Sequence, residues 1–394
     1  MLTASPGRIV AGSMAAALFA LCGWSLLRVD TEFGPPLGPD RILADEGVNG
    51  DPAVMEAHAR QALQSRPIDG AAFRVLGMSA AQRGESVRAR TLYGIAVRRD
   101  PRDWQAHAFL MDIAFQRGSV EEGSQHLDAI LRVAPDLATP LLGALAPALE
   151  DARLRPVVAN IVAGKPPWSG GMMAALRDKA VDPDSAAAFV EDISTHRQLT
   201  TAERSALIDA LSRAGRAHDA RVEWLATLGA EERVLADNVF DGGFEEAEPV
   251  VGEFAWSWDS GTGVDLSLEQ GQAASGRQSL RIDFNGRAIT LRAPAQRLAL
   301  APGRYILSAA FDDRTNASRP FTMMLACSSG EELAQLELSG GVRNAWTRVN
   351  ETLEIPEDCP QQRVWLALRS QSIANTQVAG VLRLDEVAIG KNLP

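Results

Sequence analysis

The sequence predicts a multidomain α + β protein in which an N-terminal transmembrane helix precedes a helical repeat region and a C-terminal antiparallel β-sandwich or barrel. Three patterns support this order. An uncharged run covers residues 9–27, glycine and proline recur every 34 residues between residues 50 and 135, and short alternating segments begin after residue 237. A period of two is typical of half-buried strands, whereas a fixed period of 34 residues is typical of paired-helix repeats.

The uncharged run at residues 9–27 is 19 residues long and lies between Arg8 and Arg28. A membrane-spanning helix needs about 20 apolar residues, and the apolar stretch of a cleaved signal is shorter. The sequence therefore predicts that residues 1–28 form a signal anchor.

The charges around this run indicate its orientation. Arg28 is offset by Asp30 and Glu32, whereas Arg8 and the terminal amine stand alone, so the positive-inside rule favours a cytoplasmic N-terminus. The composition, rich in Ala and Arg, indicates a bacterial chain. We therefore expect a single-pass inner-membrane protein whose bulk is periplasmic, with residues 29–49 as a proline-containing linker.

The composition and net charge of the chain indicate which classes of binding partner to expect. The chain has 394 residues, a net charge of −11 and 46% hydrophobic residues, which is enough for sizeable cores. It has no concentrated basic segment, so we expect no nucleic-acid partner.

The helical region contains a repeat. Three glycines and three prolines are each spaced by 34 residues: Gly50, Gly84 and Gly118, and Pro67, Pro101 and Pro135. On these residues, the segment 50–136 resembles the tetratricopeptide-repeat family, which implies a surface that binds a protein partner. Met111 and Gly123 depart from the pattern, so the second unit follows it more loosely.

Residues 137–234 remain helical but lose this phase, and we interpret them as degenerate helical repeats of the same α-solenoid. Thr200 or Thr201 is expected to cap a helix near the end of this region, with Glu203 in the first turn.

The alternating segments of residues 235–394 carry a second resemblance. "NVFDGGFEE" at 238–246, "WSW" at 256–258, "ASGRQSLRIDF" at 274–284, "LAPGRYILSAAFDD" at 300–313 and "LRLDEVAI" at 382–389 occur in that order. They are similar to the jelly-roll carbohydrate-binding modules of glycan-active bacterial enzymes. The resemblance implies a β-sandwich whose ligand it does not specify.

This resemblance also implies a structural calcium ion that joins the first strand to the last. Asp241, Glu245 and Asp385 would be its ligands, because calcium prefers oxygen. The alternative is that these acids cap turns or face solvent.

Sugar binding usually needs an aromatic platform with polar groups beside it. Four tryptophans are candidates in this region, and the first three are preferred: Trp256, Trp258, Trp365 and Trp346. Trp256 and Trp258 have the same parity, so in a strand they face one way. The alternative is that most of these rings belong to the core.

The cysteines of the β-rich region have two possible states, bonded or free. Cys22 lies in the apolar run, and no cysteine has the spacing of a metal site. If the chain is exported, Cys327 and Cys359 could form a disulfide; otherwise they would be free buried thiols.

The sequence favours a protein without catalytic activity. All histidines lie in the helical half, and no nucleophile, metalloprotease or phosphate-loop motif is present. We expect an envelope protein whose solenoid binds a protein and whose sandwich binds a polysaccharide, as an accessory to exopolysaccharide assembly or export. The alternatives are a protein scaffold without glycan binding, and a glycoside hydrolase or lyase using paired carboxylates.

Overall fold

The computed structural model describes residues 51–246, 250, 252–258, 261–341, 344–369 and 376–391. The chain divides into two compact units, Met1–Ala206 and Leu207–Pro394. The predicted anchor and linker lie outside the described residues. Within the described ranges, no single helix is long and apolar enough to cross a membrane, although one pair of helices bent by 116° passes the same test together.

The first unit is helical. Its helices are α1 Pro52–Ser65, α2 Gly70–Gln82, α3 Ser86–Arg99, α4 Trp104–Gln116, α5 Val120–Val133, α6 Ala138–Ala148, α7 Leu154–Ala163, α8 Ser169–Ala175 and α9 Pro183–Ser194, with a 3₁₀ turn at Pro135–Leu137. A further helix, α10 Thr201–Arg213, begins in this unit and crosses the division.

The period of the sequence is also the period of the helices. α4 begins 34 residues after α2, and α5 begins 34 residues after α3. Gly84 and Gly118 end the first helix of each pair at φ values of +76° and +75°, where a side chain would be strained. The paired helices are established by this geometry, and membership of the tetratricopeptide family stays a prediction.

Gly123 does not loosen the second pair. A Cβ atom added at Gly123 would lie 2.6 Å from Cε1 of Phe115, so the aromatic ring occupies the space that a larger residue would need. Phe115 and Met111 are both buried. The departure from the pattern at Gly123 therefore leaves no gap, because the ring of one helix fills the space beside the other.

Helix α10 begins with a reciprocal cap, as the sequence predicts. The backbone N–H of Thr200 donates to Glu203 Oε2 at 2.8 Å, and the N–H of Glu203 donates to the Thr200 hydroxyl at 3.4 Å. Arg197 donates from both terminal nitrogens to the Glu203 carboxylate, each at 2.7 Å. This guanidinium is the main reason that the pKa of Glu203 is lowered to about 2.

Within its described residues, the second unit joins two short helices, α11 Ala217–Leu225 and α12 Ala230–Val234, to nine strands. The strands are β1 Val264–Gln270, β2 Gln278–Ala288, β3 Ala295–Leu298, β4 Gly303–Thr315, β5 Phe321–Cys327, β6 Glu332–Leu338, β7 Thr347–Ile355, β8 Gln362–Leu368 and β9 Gln377–Lys391.

These strands form a sandwich and not a barrel. One sheet has the order β1-β2-β9-β4-β7 and the other has the order β3-β8-β5-β6, and the pairs are antiparallel. This is the strand order of a jelly roll. Leu280, Leu307, Leu366 and Leu384 lie in the single core between the two sheets.

Helix α11 packs on the start of the sandwich. The indole ring of Trp224 meets the ring of Phe240 edge-on at 5.0 Å and lies 5.8 Å from the ring of Phe254. Arg221 donates to the backbone oxygens of Asn238, at 2.9 Å, and Asp237. The compact unit therefore begins at Leu207, upstream of residue 235 where the sequence pattern changes.

We predict that Glu203→Gln destabilises the first unit at pH 7 and that the effect disappears in acid. A lowered pKa contributes stability above the unfolded value of about 4.5, and this contribution is lost as the pH falls towards about 2. The expected difference at pH 7 is about 2–3 kcal/mol. Urea unfolding at a series of pH values measures it. Glu121→Gln, on the exposed first turn of α5, is the control, and a difference that is constant with pH would contradict the prediction.

We also predict that Trp224→Ala destabilises the second unit by about 3–5 kcal/mol, because it removes a buried indole and leaves a cavity beside Phe240 and Phe254. Val222→Ala, on the same helix and half exposed, should have little effect. Thermal unfolding of both variants tests this. Equal effects of the two substitutions would show that α11 does not stabilise the sandwich.

Candidate functional site

Two of the three preferred tryptophans face the core. Ser257 pairs with Ala295 in an isolated bridge and is exposed, so its neighbours Trp256 and Trp258 point to the opposite side. Trp256 is 5% exposed, and its Nε1–H donates to the backbone oxygen of Asp241 at 3.0 Å. Trp258 packs against the same core. The two rings share a face, as their parity predicts, but that face is the interior.

Trp365 lies on the outside of the four-stranded sheet. Its neighbours Val364 and Leu366 fill the core, so Trp365 points away from it. The ring is half-buried, and the Arg363 guanidinium lies 5.7 Å from its centroid. Its partners across the sheet include Met324. Trp365 is therefore placed on a surface, but separately from Trp256 and Trp258.

The five-stranded sheet carries a charged network on its outer face. Phe311, Ile282 and Leu384 point into the core, so the adjacent positions in the strands point outward. We call these outward residues the Asp312 face; its members are Glu269, Arg281, Asp283, Asp312, Arg314 and Arg383.

Arg383 is the centre of this network. Its Nε lies 2.7 Å from Glu269 Oε2, and its Nη1 lies 3.3 Å from Asp312 Oδ2. Arg314 Nη2 reaches the same Asp312 oxygen at 2.8 Å. Arg281 bonds to Asp283 at 2.7 Å and to Glu269 at 3.2 Å. The contact with Arg383 lowers the pKa of Glu269.

Asp312 is buried although it lies on an outer face. Its side chain is 2% exposed, and that of Arg383 is 7% exposed. Asp312 Oδ1 is buried and accepts no hydrogen bond from any part of the chain that the structure describes. A buried carboxylate oxygen normally has a donor, so Asp312 retains the capacity to accept one more.

Trp346 comes directly before β7 in the sequence. Thr347, the first residue of β7, pairs with Phe311. The half-buried Trp346 and Asp312 are the residues that adjoin this last pair of the two strands. The Asp312 face thus combines fixed guanidinium donors with a carboxylate oxygen that has no donor among the described residues, and Trp346 adjoins the strand pair at its edge.

In the sequence, only the alternation of apolar and polar residues along the strands indicated the members of this site. Asp312 and Arg383 are 71 residues apart in the chain, and only the pairing of β4 with β9 brings them together. Trp346 was a candidate aromatic, but no sequence pattern connected it to Asp312.

The three predicted calcium ligands lie near one another. Asp385 is fully buried, and its Oδ2 accepts the N–H groups of Ala274 and Ser275 at 2.7 and 3.2 Å. Glu245 Oε1 accepts the N–H of Arg277 at 2.7 Å. Asp241 accepts the N–H of Glu245 at 2.6 Å.

These residues do not fit a calcium ion as they are arranged. Calcium takes about six to eight oxygen ligands. Each of these carboxylates instead accepts hydrogen bonds from N–H groups of the chain. Among the described residues, no group of three acidic, histidine or cysteine side chains could hold a metal ion. Burial raises the pKa of Asp241 to about 6 and also raises the pKa of Asp385, because the charged forms lose hydration.

Cys327 and Cys359 are joined by a disulfide. Cys327 ends β5, and Cys359 lies in the loop before β8. The bond therefore attaches that loop to the four-stranded sheet.

Comparisons with known proteins give limited likenesses. No protein-family model matches the chain. No curated protein matches it either. Among solved structures, the family 22 xylan-binding domain from Paenibacillus barcinonensis is 17% identical, covering 35% of this chain and 87% of that one at a TM-score of 0.26.

A structure described as carbohydrate-binding module 4 is 16% identical and covers 39% of this chain and 98% of that one at a TM-score of 0.28. A family 16 carbohydrate-binding module is 13% identical and covers 39% and 100%, also at 0.28. At these TM-scores the likenesses carry no argument, and the jelly-roll assignment rests on the strand order.

We predict that Trp256→Ala and Trp365→Ala differ in their effect on folding. Trp256 is buried and hydrogen-bonded, so its loss should cost about 3–5 kcal/mol. Trp365 is half-buried on the sheet surface, so the same substitution should cost about 1 kcal/mol. Chemical denaturation measures both values. A larger loss for Trp365→Ala would contradict the assignment of faces.

Proposed function

We propose that the sandwich binds a polysaccharide at the Asp312 face. The observation that carries this proposal is the Asp312 carboxylate, whose Oδ1 has no donor within the described residues; Asp312 and the half-buried Trp346 both adjoin the last pair of β4 with β7. A sugar ring packs its C–H face on an indole, and its hydroxyls donate to carboxylates and accept from guanidinium groups. The Asp312 face offers these groups together.

The charge of the face favours a neutral sugar. Its three arginines are balanced by its three acids, and the members are paired with one another. An acidic polymer would need arginines that are not already neutralised. We therefore expect hydroxyl recognition rather than recognition of carboxylate or sulfate groups.

The same pairing argues against catalysis at this face. Glycoside hydrolysis needs a carboxylic acid that holds its proton near neutral pH, which requires a raised pKa. The contact with Arg383 lowers the pKa of Glu269, so this carboxylate is held ionised. We propose that the Asp312 face has no catalytic role.

The rest of the proposal concerns the setting. We propose that residues 9–27 tether the chain in the bacterial inner membrane and that the bulk is periplasmic; the disulfide supports this, because an oxidising compartment maintains such bonds. The helical solenoid would bind a protein partner. Together these parts suit an accessory protein that holds a polysaccharide during its assembly or export.

A protein scaffold without glycan binding is the second candidate. The placement of Trp256 and Trp258 in the core favours it, because a dedicated sugar-binding module would present such rings on its surface. The two candidates differ in one measurable property, which is the affinity of the folded protein for polysaccharides.

We predict that neutral polysaccharides retard the protein in affinity electrophoresis and that Trp346→Ala lowers the affinity at least about tenfold, which corresponds to about 1.4 kcal/mol of binding free energy. Asp312→Asn should also weaken binding, because it removes a charged acceptor. Glu337→Gln makes the same change from acid to amide on an exposed position of the four-stranded sheet, and should have no effect.

The panel should include neutral and acidic soluble polymers, including the producing organism's own exopolysaccharide. Circular dichroism establishes that each variant is folded. No retardation of the folded protein by any polymer would favour the scaffold. Retardation that survives both Trp346→Ala and Asp312→Asn would place the binding site elsewhere on the protein.

A further inference from the structure

We propose that backbone amides and two arginines attach residues 241–246, which precede β1, to the sandwich. These groups take the place that a metal ion would have. The closure, which we call the amide clasp, joins residues 241–246, the segment 272–278 that leads into β2, and the bulge of β9 at residues 385–386. It concerns the stability of the domain and does not rest on the proposed glycan binding.

The first half of the amide clasp is Asp385. Strand β9 has a bulge at this point: Asp385 pairs with Ala310 and Ala388 pairs with Ser308, so β9 has one residue more than β4 between these pairs. Glu386 adopts a positive φ of +48° there. The buried Asp385 carboxylate accepts three backbone N–H groups, from Ala274 and Ser275 on one oxygen and from Glu386, at 2.7 Å, on the other.

The second half is Glu245. Its Oε1 accepts the N–H groups of Arg277 and Gln278 at 2.7 and 3.3 Å, so it holds the same loop two residues further on. Between the two halves lies Gly276, with φ +70°, where an added Cβ would come within 2.1 Å of Glu245 Oε1. Only glycine lets the loop approach both carboxylates.

Asp241 and Gln278 hold the remaining chain. Asp241 accepts the N–H groups of Glu245 and Glu246 at 2.6 and 3.3 Å. Gln278 Nε2 donates to the backbone oxygens of Phe244 and Glu246 at 2.6 and 2.7 Å. The oxygens that could surround a cation are thus acceptors for amide donors of the chain itself.

Two arginines supply positive charge at the same place. Arg348 bonds to the Glu386 carboxylate at 2.6 and 2.9 Å and donates to the backbone oxygen of Ala274 at 3.3 Å. Arg277 donates to the carboxylate and the backbone oxygen of Glu245 at 3.3 and 3.4 Å. A carbonyl oxygen that accepts from a guanidinium is not directed at a metal ion. Both arginines are largely exposed, so the buried amide bonds carry most of the stability.

The experiment is thermal unfolding of the full-length protein with excess EDTA and with millimolar CaCl₂. The amide clasp predicts the same Tm in both buffers for the transition of the sandwich. A resident calcium ion would bind only the folded state and would raise the Tm by about 5 °C or more over EDTA. A Tm that falls in EDTA and is restored by calcium would overturn the proposal.

A pair of variants tests the arginine contribution. Arg348→Met keeps an apolar stem but removes the charge beside Glu386, and should lower the Tm by about 2 °C at low salt and by less at 1 M NaCl, where ion pairs are screened. Arg304→Met changes an exposed arginine of β4, the strand that pairs with β7, and is the matched control. Equal shifts for the two variants at both salt concentrations would contradict a role for Arg348 in the amide clasp.

Glycan binding gives an independent readout. If the EDTA result overturns the amide clasp while Trp346→Ala still abolishes retardation, only the closure is wrong. If the Tm is insensitive to calcium while no polymer binds, the amide clasp stands and the proposed function fails.

Discussion

The second unit depends on the insertion of β9 between β2 and β4. This strand is the last in the described sequence, yet it lies in the middle of the five-stranded sheet. Its pairing brings together segments that are far apart in the sequence, such as Leu280 with Leu384 and Phe311 with Leu384, so it closes long loops whose entropy must be offset by the contacts formed. The core, the Asp312 face and the amide clasp each take at least one residue from β9, and none of them exists until this strand is in place.

Successive side chains of β9 point alternately into the core and to the outer face of the sheet, so one strand contributes to both. Leu382 and Leu384 point into the core, and Arg383 between them points to the outer face. A slip of one residue would bury Arg383 and expose both leucines, so the core fixes the register of the functional face. The bulge at Glu386 then changes the phase and returns Val387 to the core. The irregularity that helps Asp385 reach the loop before β2 is therefore compatible with continuous packing.

Local patterns in the sequence were sufficient to predict the helices and strands. They were not sufficient to predict which face of a strand points into the core. The spacing of Gly84 and Gly118, the cap at Thr200 and the alternating strands each depend on neighbours a few residues away, and each was predictable. The parity of Trp256 and Trp258 predicted that they share a side. Which side it is depends on the bridge from Ser257 to Ala295, a long-range contact that no local pattern contains. For the same reason, the sequence did not predict the contact of Asp312 with Arg383 or the packing of Trp224 on Phe240.

The Asp312 carboxylate shows why a stable domain would keep an imperfect network. A buried acceptor without a donor costs about 1–3 kcal/mol, and replacing a buried ion pair by apolar residues is often neutral or stabilising. Stability alone therefore gives no reason to retain Asp312 and Arg383 on an outer face. A ligand hydroxyl that donates to Asp312 Oδ1 would recover this free energy, provided that the surrounding side chains move to uncover this buried oxygen. This oxygen, which has no donor among the described residues, is therefore the reason for placing the proposed ligand on the Asp312 face.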